Sequence, residues 1–253
     1  MQASGFKTLP VVIKNLLIIN GLFFLGTITL RNFGIDLVQL LGLYLPGSPN
    51  FAPYQFITHM FMHSVSNPGH IFMNMFMLWM FGNSLENFWG AKRFLTFYMI
   101  TGLGAGFLYV GVNYVEAMML KDQLLSAGMS QSDLANLITT GRYNSAILAE
   151  VGESALRNYF MAYNTPVIGA SGAVYGVLMA FGMLFPNVKI YIYFLFPIKA
   201  KWLVIILGGI EFFQGLNPDG SNIAHFAHLG GMIFAYILIK YWKKKGVGGG
   251  TYY

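Results

Sequence analysis

The sequence predicts an all-α, polytopic membrane protein built as a bundle of six transmembrane helices. Three observations predict it. Of the 253 residues, 56% are hydrophobic and only 9% are charged, with a mean hydropathy of +0.57; soluble domains carry roughly 25% charged residues. Apolar runs near ~20 residues, the length that crosses a bilayer as a helix, recur six times. The cations are shared unevenly among the connections between those runs.

The first run, residues 11–30, follows a short N-terminal segment (1–10) and carries Lys14 near one end. No small-residue cleavage site closes it, so it reads as a retained helix and not a signal peptide. Within 31–65, Ile35, Leu37, Val38, Leu40 and Leu41 suggest a short amphipathic helix ended by Pro46-Gly47. Too short to span, it suits the interface plane. The second run is 69–87, followed by Lys92-Arg93. The third is 94–115, where Gly102, Gly104 and Gly106 favour close helix contact. Residues 116–164 form a long polar region, expected to be an extramembrane helical insertion. There Ser132-Asp133 can cap a helix through Leu134, Leu137 and Ile138, and a second helix runs through Ile147 to Leu156. The fourth run is 166–184. Tyr191 to Pro197 is aromatic and Pro-interrupted, as interfacial segments are. The fifth run is 202–216 and the sixth 222–242, completing a membrane domain over 11–242 ahead of a tail, 243–253. Cysteine is absent, which excludes disulfides and thiolate metal sites.

Six spans put both termini on one side. Lys7, Lys14, Lys92, Arg93, Lys189, Lys199, Lys201, Lys240, Lys243, Lys244 and Lys245 then face one compartment. Arg31, Lys121, Arg142 and Arg157 face the other, accounting for all 15 cations. The positive-inside rule makes the first set, and both termini, cytoplasmic.

In this topology the second, fourth and sixth spans all start at the outer face. His70 and Asn74 lie in the first two turns of the second span, Ser171 lies five residues past Pro166, and His228 lies six past Asn222. At about 1.5 Å per residue, all four sit within ~10 Å of the outer ends. Random placement would scatter them. A lone membrane serine ordinarily bonds back to its own helix, whereas an intramembrane histidine is functional by default. His59 and His63 read as interfacial residues. Their i, i+4 spacing would suit a metal, yet no His-Glu-x-x-His pattern supplies the base of a zinc protease. Glu86 lies at the inner end of the second span, away from this polar layer. Glu211, inside the fifth span, has no assignable partner.

Nucleophilic chemistry needs a serine oxygen within reach of a base, and donors for an oxyanion. Gly172 with Gly176, and Gly231 with Ala235, form small-residue ridges on spans four and six that let the backbones approach. Ser171 can then meet the His228 imidazole, with Tyr175 one turn below to stack under the ring. No carboxylate is expected at this depth, so the unit reads as a Ser-His dyad. Asn74 and the Ser171 backbone N–H would supply oxyanion donors. His225, three residues before His228 on the same face, reads as lining the entrance; His228 is preferred because Gly230 and Gly231 follow it. The base must be neutral to accept a proton, so activity is expected to fall on acidification.

Gly169-Ala-Ser-Gly172, Ala227-His-Leu-Gly-Gly231 and His70-Ile-Phe-Met-Asn74 resemble the serine, histidine and His-x-x-x-Asn motifs of the rhomboid intramembrane serine proteases. Thr58-His-Met-Phe-Met-His63, Glu86 and Gly90 extend the resemblance, which covers roughly 51–241. It implies a bacterial-type, six-helix rhomboid-like bundle that hydrolyses peptide bonds in or near the transmembrane helices of membrane-protein substrates. It implies Ser171 as nucleophile, His228 as general base and acid, His70 and Asn74 as oxyanion-binding residues, and Tyr175, Gly169 and Gly172 as supporting residues. The implied partners are transmembrane substrates and the lipid bilayer, with no metal, cofactor or nucleic acid. The implied location is a bacterial inner (cell) membrane, the active site opening to the outer face. The chain departs from the family in carrying Tyr54-Gln55 where a Trp-Arg pair is frequent, and in its long insertion. Two other functions compete: a catalytically inactive rhomboid-like scaffold that binds membrane helices, and a small transporter. The intact serine and histidine argue against the first. The lack of repeated halves, and a polar layer near one face, argue against the second.

Overall fold

The structure is a computed structural model that describes residues 9–192, 196–216 and 222–246. The expected N-terminal segment through Thr8, the centre of the aromatic stretch (193–195), the connection 217–221 and the tail from Val247 lie outside the described residues. Helix α1 (Val11–Arg31) starts after Pro10 with no side-chain cap of its own. A helix N-terminus leaves its first N–H groups without intrahelical partners. Here the Glu86 carboxylate, buried far along the chain, accepts from Val12 N at 2.9 Å and from Ile13 N at 2.8 Å. Glu86→Ala is expected to leave these donors unmet at a cost of about 1–3 kcal/mol, lowering Tm by about 2–4 °C per kcal/mol. Glu86→Gln, which retains one acceptor oxygen, should fall between. An alanine variant melting with the wild type would contradict this role.

The short helix expected in the first connection is α2 (Leu37–Leu41), capped by Asp36 and ending at Gly42, ahead of Pro46. Helix α3 (Gln55–Thr58) runs into a single 3-10 turn, His59–Phe61. The second expected span is an unbroken but irregular rod. It comprises α4 (Pro68–Met77), a π-helical turn over Leu78–Gly82, and α5 (Asn83–Trp89). Helix α6 (Ala91–Ser126) overruns its expected end by a further three turns and carries the chain into the insertion.

The insertion is helical, as its pattern predicts, with shifted boundaries. Helix α7 (Gln131–Thr140) is opened by a capping box in which Ser130, not Ser132, is the N-cap and Asp133 answers it. Hydrogen bonds from Ser130 hold the Asp133 carboxyl below the usual carboxylate range. Helix α8 (Leu148–Asn164) is broken at Gly152, whose φ of 73° no helix accommodates. Together with the end of α6 they bury Leu124, Leu134, Leu137, Leu156 and Tyr159 in a small core of their own. Burial pushes the Tyr159 phenol up to about 12.

Helix α9 (Ser171–Leu184) begins later than the apolar run does. Two features delay it: Val167 forms an antiparallel bridge with Leu43, and Gly169 adopts φ 132°. The all-α expectation needs one amendment. Strands β1 (Lys189–Ile192) and β2 (Phe196–Lys199) form an antiparallel hairpin, with Pro197 opposite Tyr191. Both strands of a two-stranded sheet are edges, where proline's missing donor is tolerated. Helices α10 (Ala200–Gly215) and α11 (Asn222–Lys244) complete the described chain.

Helices α6, α9 and α11 pack against one another at the centre, α10 lies against α9 and α11, and α1 borders α4, α5 and α6. Among the described residues, α1 and α6 are long and apolar enough to cross a membrane by length and composition, and α9 is a shorter apolar helix. Leu22, Leu25, Phe107, Ile205, Phe213 and Ile237 are exposed on the outside of the bundle. Water penalises such a surface, and hydrocarbon does not.

Candidate active site

Glycines decide how closely the central helices approach. A Cβ on Gly231 would lie 1.8 Å from the Gly172 carbonyl oxygen, and one on Gly172 would lie 2.4 Å from Ala105 Cβ. A Cβ on Gly230 would be 3.0 Å from Ala105 Cα. Backbone meets backbone at this crossing, the contact that small-residue ridges permit. Gly102 and Gly106 likewise make room for Met60 and His59, and Gly104 for the Phe234 ring. Ser171 immediately precedes Gly172 on α9. His228 immediately follows Ala227, whose carbonyl lies 3.4 Å from the same Gly172 Cβ position.

Ser171 is the first residue of α9 and not an interior one. The first intrahelical bond runs from Val174 N to Ala170 O at 3.0 Å, so the N–H groups of Ser171, Gly172 and Ala173 precede the helical ladder. The positive end of the helix dipole adds to them, favouring negative charge beside the serine. Gly169 supplies the bend that aims this end. Its N–H donates to His59 O at 2.9 Å. A Cβ there would lie 2.9 Å from His70 Nε2 and 3.3 Å from Ser171 Oγ, so His70 and Ser171 both border that point. Asn74, one turn along α4 from His70, is buried, and its Nδ2 has no partner among the described residues. A cavity of about 10 Å³, the size of one water, lies beside Ser171 and Gly169 and is backed by His59, Met60 and Ala227.

His59 and His63, expected at the interface, are buried instead. The first connection folds inward and carries them against α6 and α4: His59 Nδ1 pairs with Gln55 O at 2.8 Å, and the His63 ring lies 5.0 Å from that of His70. Gln55 organises that connection. Fully buried, its Oε1 accepts from Ala52 N at 3.1 Å and Tyr44 N at 3.3 Å, while Nε2 donates to Asn50 O at 2.8 Å and Leu40 O at 3.3 Å.

On the other side of the crossing, Tyr175 stacks on His228 as its position one turn below Ser171 predicts, with ring centroids 4.2 Å apart and planes 7° from parallel. One expectation is overturned here: a carboxylate does share this depth. The Tyr175 hydroxyl donates to Glu211 Oε1. Glu211 Oε2 lies 2.6 Å from His225 Nδ1 and 3.0 Å from His228 Nδ1. The His225 contact is aligned as a hydrogen bond. That of His228 is close but off-line, and its buried Nδ1 has no hydrogen-bond partner among the described residues. Glu211 was missed because it sits deep when counted from the start of its helix. Counted back from Gly215, it is four residues, about 6 Å, from the opposite end, the level of the histidines. His225 therefore turns inward to the carboxylate, where the sequence suggested an entrance.

The Rhomboid domain family model matches residues 50–244, well over half of the chain. The chain belongs to the rhomboid family. It is accordingly an integral membrane protein. This rhomboid is 29% identical over 182 residues to RHOMBOID-like protein 12, mitochondrial, of Arabidopsis thaliana, covering 72% of this chain and 44% of that one. It is 29% identical over 163 residues to Rhomboid protein 1, mitochondrial, of Saccharomyces cerevisiae, covering 64% of this chain and 34% of that one. The chain thus spans less than half the length of either relative. All three motifs of this rhomboid lie within the matched region, as does Glu211.

Proposed function

We propose that this rhomboid is an intramembrane serine endopeptidase that cuts membrane-protein substrates in or near their transmembrane helices, with Ser171 as nucleophile and His228 as general base and acid. The observation that supports the reading is the Gly172–Gly231 backbone contact, one residue from Ser171 and three from His228, together with the Tyr175 ring stacked on that histidine. Ser171 Oγ attacks the scissile carbonyl carbon and its proton passes to His228. The resulting oxyanion is met by the Ser171 backbone N–H, Asn74 Nδ2 and the His70 ring, donors fixed before charge develops. Collapse breaks the C–N bond, and His228 returns the proton to the leaving amine. A water then attacks the acyl carbon, giving a proton to His228. The C–O bond to Ser171 breaks, His228 returns the proton to Ser171 Oγ, and the product carboxylic acid leaves as a carboxylate, its proton passing to water. The water-sized cavity beside Ser171 suits a small side chain at the cleavage position.

The same reading makes the helical rods six spans with both termini on one side, the insertion of 116–164 extramembrane, and Ser171 close to the opposite face. Both relatives are mitochondrial by name, so a mitochondrial membrane stands beside the bacterial cell membrane suggested by the motifs. Fractionation of the tagged chain from its own cells decides between them.

The test is labelling by a fluorophosphonate, which the activated serine oxygen attacks at phosphorus with loss of fluoride, together with cleavage of a single-span substrate in liposomes. Wild type is expected to label and cleave, and Ser171→Ala to do neither. A folded wild type that does neither would favour the inactive scaffold. Cleavage by Ser171→Ala would remove the serine from the mechanism.

A further inference from the structure

We propose that Glu211 is a positioning residue for the base, making the Ser171–His228 pair a unit of three; this rests on the protease reading above. A neutral imidazole carries one N–H, and the nitrogen that carries it decides which edge can accept a proton. If the proton sits on the edge facing serine, the base is lost without any change in shape. Glu211 Oε2 faces Nδ1 of His228 at 3.0 Å, and that nitrogen is buried with no hydrogen-bond partner among the described residues. A carboxylate has only acceptors to offer. Even off the line of a hydrogen bond, its negative charge at 3.0 Å favours the tautomer with the proton on Nδ1, which leaves the Nε2 lone pair for the serine. When Nε2 takes the serine proton, the new positive charge forms beside a fixed negative one, the role an acidic third member plays in serine hydrolases.

The second oxygen of the same group strengthens the assignment. Oε1 accepts from the Tyr175 hydroxyl, and the Tyr175 ring lies flat on His228 at 4.2 Å. One carboxylate thus fixes both the edge of the imidazole and the ring that supports its face. A charge buried for stability alone needs donors, but it has no need to hold the two side chains that bound the base. The competing description is that Glu211 serves His225, its shorter contact at 2.6 Å. The groups against His228 are Glu211 from α10, His225 on α11 itself and Tyr175 from α9, and His70 on α4 is the further titratable group close enough to interact with it through charge.

The experiment is steady-state cleavage of the liposome substrate, alongside the rate of fluorophosphonate labelling at Ser171. Glu211→Gln keeps the volume but can present N–H donors to Nδ1, which favours the wrong tautomer. It is expected to lower kcat and the labelling rate by about 10²–10⁴-fold, with KM within about threefold of the wild type. Glu211→Asp should recover part of the loss, a rescue that a purely structural role would not give. Tyr175→Phe, which keeps the stacked ring and loses only its donor, should lower kcat by up to about tenfold; it also tests the idea if Glu211→Gln fails to fold. Wild-type kcat in a folded Glu211→Gln variant, or an equal loss in His225→Ala, would overturn the proposal while leaving the protease reading intact. A wild type that neither labels nor cleaves would remove both.

Discussion

Gly231→Ala is expected to melt about 2–12 °C below the wild type and to lose cleavage almost completely. The added methyl would lie 1.8 Å from the Gly172 carbonyl oxygen and 2.7 Å from its carbon. Both are backbone atoms at the start of a packed helix, so no side chain can rotate away. Helices α9 and α11 must part by roughly 1 Å or more before the contact reaches ordinary van der Waals separation. Overpacking of this kind costs about 1–3 kcal/mol, and each kcal/mol is worth about 2–4 °C in a chain of this size. The effect on rate should exceed the effect on stability. Ser171 and His228 flank the crossing, and a 1 Å misplacement of reacting groups can cost about 10² in rate. Gly111→Ala and Gly209→Ala are the controls, since a Cβ at either meets nothing within 4 Å. They should melt with the wild type or slightly above it, alanine being the better helix former. Equal melting of Gly231→Ala and Gly209→Ala, by intrinsic tryptophan fluorescence or by calorimetry, would show that the crossing tolerates a methyl group.

His228→Ala should lower kcat by at least about 10³-fold, with little change in melting temperature. A serine without its base loses both its activation and the acid that protonates the leaving amine. The sharper expectation concerns the double variant. If Ser171 and His228 act as a unit, Ser171→Ala/His228→Ala should be no slower than the worse of the two singles, because removing either already disables the pair. Losses that multiply would mean that the two residues contribute separately, and the mechanism would need another base. His70, whose Nε2 borders the same point beside Gly169 as Ser171 Oγ, is one candidate, and His225 is another; His70→Ala and His225→Ala in the His228→Ala background test them directly.

Much of this arrangement was legible in the sequence, and the parts that were not share a cause. Ser171, His228, His70 and Asn74 could be grouped because three expected spans start on one side of the alternating topology and each residue lies a countable distance from its start. The glycines at 172 and 231 announced the crossing, since ridges of small residues have few other uses at such spacing. Glu211 escaped because its helix runs the other way, and depth has to be counted from its end. Helix rotation was equally hidden: nothing in the order of residues says that Glu211 points at His228 and Phe213 away from the bundle. The late start of α9 was concealed by hydropathy, which cannot distinguish an apolar extended segment from an apolar helix. Pro166 and Gly169 were the available signals. The inward fold of the first connection depends on the fully buried amide of Gln55, a residue type whose pattern gives little warning of burial.

The Glu86 carboxylate carries a consequence for how the protein is made. It supplies the first turn of α1 from a position 73 residues later in the chain than Ile13. At a synthesis rate of about 5–20 residues per second, several seconds separate the arrival of the helix from the arrival of its cap. Helix α1 is therefore made without the acceptor for its N-terminal end, which closes only after the rod of α4 and α5 has turned back to meet it. Helix α1 is thus made before the group that locks it, and a nascent chain stopped before Glu86 should hold this helix more loosely than one stopped just beyond it.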